Sequence, residues 1–529
     1  MIRNPIREQV DILVVGGGIN GVGIARDAAG RGLSVILCEK DDLASHTSSA
    51  STKLIHGGLR YLEYYEFKLV RKALQEREVL LRAAPHIISP LRFVMPHVAN
   101  LRPAWMIRLG LFLYDNLSHR NILFGSRGIN FKSHVSGRPL QDRFTKGFVY
   151  SDAWVDDARL VVLNALDAKE LGATILTRTE LVAARKENDG WRVTMRNALG
   201  ETISVFARCL VNATGPWVSS FLSQKIQTAD PQPHHEIRLI KGSHIVTKKL
   251  FDHHYAYIFQ NPDKRIIFAI PYMNDYTLIG TTDLEFTGDP NQVTISSDEV
   301  AYLCSSINSY FKQAISPADV VWAYSGVRPL VGEEDTSNPS AVTRDYHLKI
   351  DEQSGKSVLL SVFGGKITTF RRLAEEALDR LIPLLNTNKP AWTASATLPG
   401  GDIPRGDVAA FILDLQRRYP WLPPALLTRY AHQYGDRISV VLGSAASAAD
   451  LGSELSPGLF ELELRYLVRH EWAQTAEDIL WRRTKTGLAA TAASISAVQQ
   501  WLVGQEVSRS QKSQANQETD HAASEDQIQ

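Results

Sequence analysis

The first readable pattern along the chain is an unbroken apolar run, Asp11-Ile12-Leu13-Val14-Val15. A strand with one wet face alternates apolar and polar positions, so a run without alternation predicts a parallel strand buried on both faces. Gly16-Gly17-Gly18 ends it, and Ile19 to Arg31 has helical spacing with Gly32 as its stop. Leu33 to Cys38 reads as a second buried strand, closed by Glu39. These segments make one β-α-β unit. A Ser/Thr/Gly-rich stretch follows, Ser45 to Gly58, and then a helical pattern from Glu66 to Ala84. Residues 85–150 carry Pro85, Pro90, Pro96, Pro103 and Pro139 and predict irregular structure.

Further on, Asp157 to Gly172 predicts a helix, and Ala173 to Leu210 predicts strands and hairpins with a turn at Asn188-Asp189-Gly190. Leu210-Val211-Asn212-Ala213 is another buried strand that ends at Thr214-Gly215. Strand signals dominate Ile237 to Asp283, and Ser296 to Phe311 is helical. Val358 to Val362 forms one more strand, which runs through Gly364-Gly365 into a helix from Thr369 to Leu385. From Trp392 to Leu502 the chain is rich in Leu, Ala, Arg and Glu, the mark of a separate helical domain. Gln505 to Gln529 is polar and predicts a disordered tail.

Composition narrows the picture. The chain has 529 residues, enough for two or three domains, and a formal net charge of +1, so nucleic acid is not an expected partner. Cys38, Cys209 and Cys304 form no C-x-x-C pair, so neither a metal site nor a disulfide framework is expected, and a reducing compartment fits. Met1 to Glu8 lacks the apolar core of a signal peptide. The longest membrane-span candidate, Ile107 to Tyr114, is cut by Arg108, which leaves a soluble or membrane-surface protein.

Gly16-x-Gly18-x-x-Gly21 would be weak alone, but here it lies between a strand and a helix with an acidic residue closing the next strand. Gly16 permits the tight turn, Gly18 lets the backbone approach a pyrophosphate, and Gly21 allows close helix–strand contact. The helix start at Ile19 and Asn20 offers N–H groups and partial positive charge to phosphates. Glu39 can accept from a ribose and would repel a 2′-phosphate. NAD and FAD both satisfy this unit. The small-residue turn Ala213-Thr214-Gly215 and the distant Gly364-Gly365 favour FAD, because an extended flavin dinucleotide needs remote segments to enclose it.

Several blocks then carry a family resemblance: Gly16 to Gly21, Thr47 to Tyr61, Trp154 to Leu160, Asn212 to Trp217, Lys241 to His244, Ile279 to Asp283, Tyr324 to Leu330 and Phe363 to Thr369. Over nearly the whole chain, to about residue 503, it resembles the membrane-associated, FAD-dependent glycerol-3-phosphate dehydrogenases of the bacterial aerobic, respiratory type. The resemblance implies an α/β fold: a Rossmann-like FAD-binding domain, an inserted, mainly antiparallel β substrate domain and a C-terminal helical domain. The corresponding boundaries are 1–90, 150–232 and 335–386 for the FAD domain, 91–149 and 233–334 for the substrate and membrane-facing domain, 387–504 for the helical domain and 505–529 for the tail. It also implies oxidation of sn-glycerol 3-phosphate to dihydroxyacetone phosphate by hydride transfer from C2 to flavin N5. Electrons would pass to ubiquinone or menaquinone on the cytoplasmic face of the inner membrane.

A dianionic secondary alcohol needs cations, a proton acceptor and hydroxyl donors. Arg60, Arg328 and Lys366 lie in glycine-rich turns or at strand ends and are the expected phosphate ligands, with Tyr61, Thr282 and Asp283 beside them. His244 is the first choice of base, Arg328 the group that stabilises the developing alkoxide, and His56 the second candidate, placed beside the flavin ring. Thr47, Ser48, Ser49, Ser51, Lys53 and Leu54 are expected along the cofactor, joined by Gly215, Gly365, Lys366 and Thr368. Arg92 to Arg120 carries four arginines against one acid, Asp115, interleaved with Trp105, Met106, Leu109, Phe112 and other apolar residues. This is the pattern of a segment lying on an anionic membrane surface. The C-terminal helical domain shows no catalytic motif; a homodimer interface or a partner dock is left open for it.

Overall fold

A computed structural model describes residues 7–97, 103–227, 237–263, 265–331, 345–353, 357–385 and 387–505. The expected tail lies outside these residues except for Gln505, which is helical, and Arg102 lies outside as well. Chain contacts divide the molecule into two compact units, one of residues 1–411 with 434–436 and one of 412–433 with 437 to the C-terminal end. Residues 387–411 therefore pack with the first unit.

The first unit holds two sheets. In one, the parallel strands run in the order Thr174–Leu176, Val35–Cys38, Gln9–Val15, Thr202–Asn212, Ser357–Phe363. Leu13, Val14, Ile36 and Leu210 have no exposed surface, which accounts for apolar runs without alternation. Thr202–Asn212 is longer than the expected strand because its first half pairs antiparallel with Gly190–Asn197 and its last four residues pair parallel with Ser357–Phe363. Helix Ile19–Gly30 is buried over most of its length. It packs against helices Asp157–Glu170 and Phe370–Leu381, with Gly23 leaving room for the Phe370 ring.

The second sheet has ten strands. Its long strand Ile237–Lys248 pairs with Tyr276–Gly280 on one side and Val320–Val331 on the other. The region expected to be irregular is so only in part, through the turns and bends of 117–126 and 131–145. Ile88–Pro96 pairs antiparallel with Lys146–Val155, and Ala104–Asn116 is a helix. The prolines misled because their positions are harmless: Ile88–Pro96 is bonded on its second side only at Phe93 and Val94, so neither Pro90 nor Pro96 owes an N–H there.

The second unit is mainly helical, with helix Glu461–His470 and a short hairpin, Glu454–Ser456 with Leu459–Phe460. Glu463, fully buried, takes a bidentate pair from Arg429 at 2.6 and 2.7 Å.

Candidate active site

One cavity of about 610 Å³ runs between the sheets of the first unit, from Glu39 and Thr179 at one end to Arg60, Arg328 and Lys366 at the other. Its floor is the first β-α-β turn. At Gly16 (φ 113°) a Cβ would lie 2.5 Å from the Ala213 carbonyl oxygen, so only glycine lets the two strand ends meet here. Gly18, Ile19 and Asn20 line the cavity. Gly21 does not: a Cβ there would sit 1.9 Å from the Gly16 oxygen, so its role is helix–strand packing and not cofactor contact.

Asn20 donates to the Gly364 carbonyl at 3.2 Å, tying the two glycine turns together across most of the chain. Its Oδ1 is buried without a partner among the described residues. Glu39 is buried and accepts from Gly17 N at 2.6 Å and Asp41 N at 2.9 Å. Burial pushes its carboxyl up, opposed by those two hydrogen bonds. A carboxylate has lone pairs left for ribose hydroxyls. Beyond it, Lys40 sits 4.8 Å over the Trp217 ring and donates to Asn291 at 2.9 Å, an end wall that sequence reasoning missed. Trp217 was within a quoted motif, but nothing local marks it as a wall.

The Ser/Thr run is split in its duties. Ser48 Oγ accepts the Ile19 N–H at 3.0 Å, capping the helix start while lining the cavity. Thr47 also lines it and donates to the Val327 carbonyl at 2.6 Å, tying the run to the second sheet. Ser51 and Leu54 line it, although the Ser51 hydroxyl is spent on Asp157 at 2.7 Å. Ser49 is off the wall, its hydroxyl turned to the His46 carbonyl. Lys53 is a clear correction: fully buried, it ion-pairs with Asp157 at 2.8 Å and donates to the Ser49 carbonyl at 3.0 Å. It fastens the loop and does not touch the cavity. Asp157 opens helix Asp157–Glu170, so this helix anchors the run.

Gly215, Gly365, Lys366 and Thr368 line the cavity, and Thr368 Oγ1 accepts the His56 N–H at 3.2 Å. His56, just after strand Leu54–Ile55, lines the cavity with Arg60 and Tyr61, which stand on a turn that begins at left-handed Gly58. Lys366 Nζ lies 3.8 Å over the Tyr61 ring. Arg328 reaches in from strand Val320–Val331 and is held by Asp283 at 2.6 Å. Asp283 lines the wall too, but this pair makes it the holder of the arginine. Gly242 leaves space for it: a Cβ there would meet Arg328 Nη2 at 2.9 Å and Thr281 Oγ1 at 2.6 Å.

Two expected substrate contacts lie behind the wall. Thr282 is fully buried, accepting from Ser243 N at 3.1 Å and donating to Glu299 at 2.9 Å; its neighbour Thr281 faces the cavity instead. Strand ends alternate sides, and one residue of register decides which threonine points in. His244 is also fully buried, its ring stacked on Tyr324 at 4.9 Å and its Nε2 3.0 Å from Thr52 Oγ1. Thr52, not His244, is on the wall. Burial, followed by the charges of Arg328 and Lys53, pushes the His244 pKa well below the usual histidine value, so the ring is neutral.

The groove fits FAD: a glycine cradle where a Cβ would clash, a helix start, an acceptor at the ribose position, and room extending to the second glycine turn. A dinucleotide-binding fold whose cavity ends in three cations defines an oxidoreductase acting on an anionic substrate. The family model of FAD dependent oxidoreductases matches residues 11–371, and that of the C-terminal domain of alpha-glycerophosphate oxidase matches 391–513. A glycerol-3-phosphate dehydrogenase of Pseudomonas aeruginosa is 55% identical, covering 92% of this chain and 93% of its own. A D-erythritol 1-phosphate dehydrogenase of Brucella abortus is 52% identical, covering 94% and 98%. The solved structure of a glycerol-3-phosphate dehydrogenase from Bacillus halodurans, complexed with FAD, superposes with a TM-score of 0.75 at 27% identity, covering 94% of this chain and 91% of its own. The chain belongs to the FAD-dependent oxidoreductases, in the group that contains the bacterial glycerol-3-phosphate dehydrogenases, and FAD is its cofactor.

Proposed function

We propose that the protein oxidises sn-glycerol 3-phosphate to dihydroxyacetone phosphate and passes the electrons to a membrane quinone, ubiquinone or menaquinone. The observation that carries this reading is that Arg60, Arg328 and Lys366 all line the cofactor cavity. Binding a dinucleotide alone does not call for three cations there. Arg60 and Lys366 hold the phosphate, with Tyr61 as a hydroxyl donor. FAD, when bound, supplies the two-electron acceptor for the hydride that leaves C2. His56, on the cavity wall, takes the C2 hydroxyl proton, and Arg328, oriented by Asp283, stabilises the alkoxide as it develops. His244 serves the site through Thr52 Oγ1, which it orients.

The deciding test is anaerobic. Adding glycerol 3-phosphate should bleach the flavin band at about 450 nm, an expectation from isoalloxazine chemistry. A flavin that stays oxidised sinks the reading. His56→Ala should slow that bleaching; an unchanged rate moves the base elsewhere. A longer phosphorylated polyol is the second reading, favoured by the relative that acts on D-erythritol 1-phosphate, and the ratio of kcat/KM for the two substrates separates them. Oxygen uptake without added quinone would instead mark an oxidase.

We also propose attachment to the cytoplasmic face of the inner membrane. Helix Ala104–Asn116 buries only Leu111 and Tyr114 and exposes Trp105, Leu109 and Phe112, with Phe124 and Tyr65 exposed as well. Of the described arginines of this region, Arg120 is paired with Asp115, while Arg92 and Arg108 bond the neutral hydroxyls of Ser151 and Ser126 and keep their charge. The attraction therefore combines apolar contact with positive charge. Among the described residues no helix is long and apolar enough to cross a membrane. Flotation with anionic liposomes tests the attachment, and absence of binding at low salt overturns it.

A further inference from the structure

The segment that carries His56, Arg60 and Tyr61 is held from behind by a buried polar chain. Gly57 N donates to the Tyr114 hydroxyl at 2.8 Å. Tyr114 donates in turn to Asp152, 2.7 Å from one oxygen and 2.9 Å from the other, and Asp152 pairs with Arg77 at 2.6 Å. Arg77 is also bound to the Ser151 carbonyl at 3.0 Å. Tyr114, Asp152 and Arg77 are each at most 2% exposed. The approach is tight: a Cβ on Gly57 would meet Tyr114 Oη at 2.7 Å and the Leu74 side chain at 2.5 Å. A phenol has one proton and two lone pairs, so donating to Asp152 while accepting from Gly57 fixes its orientation. On the other side of the same segment, His56 N is held by Thr368. The backbone between His56 and Arg60 is thus pinned from two directions, and Gly57 N also donates to Asp152 Oδ1 at 3.4 Å, a longer bond than the 2.8 Å one to the phenol.

We infer that Tyr114 is a positioning residue for the reaction: it sets the Gly57 amide, and through it the placement of His56, Arg60 and Tyr61. Tyr114 touches neither cofactor nor substrate. It stands on helix Ala104–Asn116, whose opposite face is the exposed apolar one. The substrate turn and the surface helix therefore share one buried hydrogen bond. The inference rests on the assignment of residues 56–61 to the substrate.

The test uses the FAD-loaded full chain with Tyr114→Phe, which keeps the ring and removes the link. Hydrogen–deuterium exchange of peptides spanning 54–64 should speed up. The Kd for glycerol 3-phosphate, from anaerobic flavin reduction at varied substrate, should rise roughly tenfold, the scale of a modest misplacement of binding groups. Flavin content per chain should stay as in the wild type. Leu111→Ala is the packing control: it removes the helix's other buried contact and should leave the Kd unchanged. Unchanged exchange over 54–64 in Tyr114→Phe, or an equal rise of Kd in Leu111→Ala, overturns the inference. If Tyr114→Phe yields no soluble protein, Asp152→Asn is read by the same two measurements. If glycerol 3-phosphate fails to reduce even the wild-type flavin, the substrate assignment fails, and the exchange measurement still decides whether Tyr114 holds the turn.

Discussion

The two ends of the cavity are built in opposite ways. The floor of the cofactor end is local: Gly16, Gly18, Ile19, Asn20 and Glu39 come from one β-α-β unit, which acts through backbone N–H groups and missing side chains, although Thr179, Trp217 and Asn291 close the end from afar. The substrate end is assembled from Arg60, Thr281, Asp283, Arg328 and Lys366, brought from four separate stretches of chain. Here function lies in side-chain charge, and Arg328 and Lys366 are each set against a neighbour, Asp283 and Tyr61. Damage at the first end should remove the cofactor. Damage at the second should leave the cofactor in place and remove the chemistry.

The largest effect is expected from Gly21→Val. Its Cβ would fall 1.9 Å from the Gly16 oxygen, so the cradle cannot close and the purified protein should carry almost no flavin, read as absorbance per chain. Retained flavin would break the comparison at its local end. Next, Arg328→Ala should keep FAD and lower kcat/KM by about 10²–10³, the usual scale for losing a group that stabilises developing oxyanion charge. Arg328→Lys should recover only part, because a point charge cannot reproduce the guanidinium held by Asp283 at 2.6 Å.

Lys53→Met probes the fastening between the two ends. It leaves Asp157 buried and uncompensated, so stability should fall by about 3–5 kcal/mol in a denaturant titration. A smaller effect is tied to pH. The folded pKa of His244 lies well below its ordinary 6.5, so as pH falls beneath 6.5 the unfolded chain binds the proton first. Wild-type Tm should therefore decline below that pH, with His244→Gln showing a flatter profile in the same scan. The smallest effect on stability belongs to Trp105→Ser combined with Phe112→Ser, within about 0.5 kcal/mol because both side chains are exposed. That variant should still lose liposome flotation while its flavin reduction stays normal.

Much of the molecule was legible before its structure. The buried strands Asp11 to Val15 and Leu210 to Ala213 were read from apolar runs, and the glycine turns from their punctuation. The irregular reading of residues 85–150 failed at Ile88–Pro96 because a proline is harmless where its strand is bonded on one side only. Among the site residues, Gly21, Ser49, Lys53, Thr282 and His244 proved to stand off the cavity wall. Each is a chemically apt residue beside one that is on the wall, and a sequence cannot report which neighbour points inward.

The amino-acid order alone determined the dinucleotide unit and the residue types for an anionic substrate, because a β-α-β turn is a local object of about 30 residues whose glycines act through their own backbone. Tertiary structure alone decided which charges face the cavity and which are consumed inside. Lys53 and Arg328 are both cations near glycine or serine, yet one is fully buried against Asp157 and the other opens on the substrate end. The difference is desolvation: a charge out of water must find its opposite within a few ångströms, and only the packed chain says where that opposite lies.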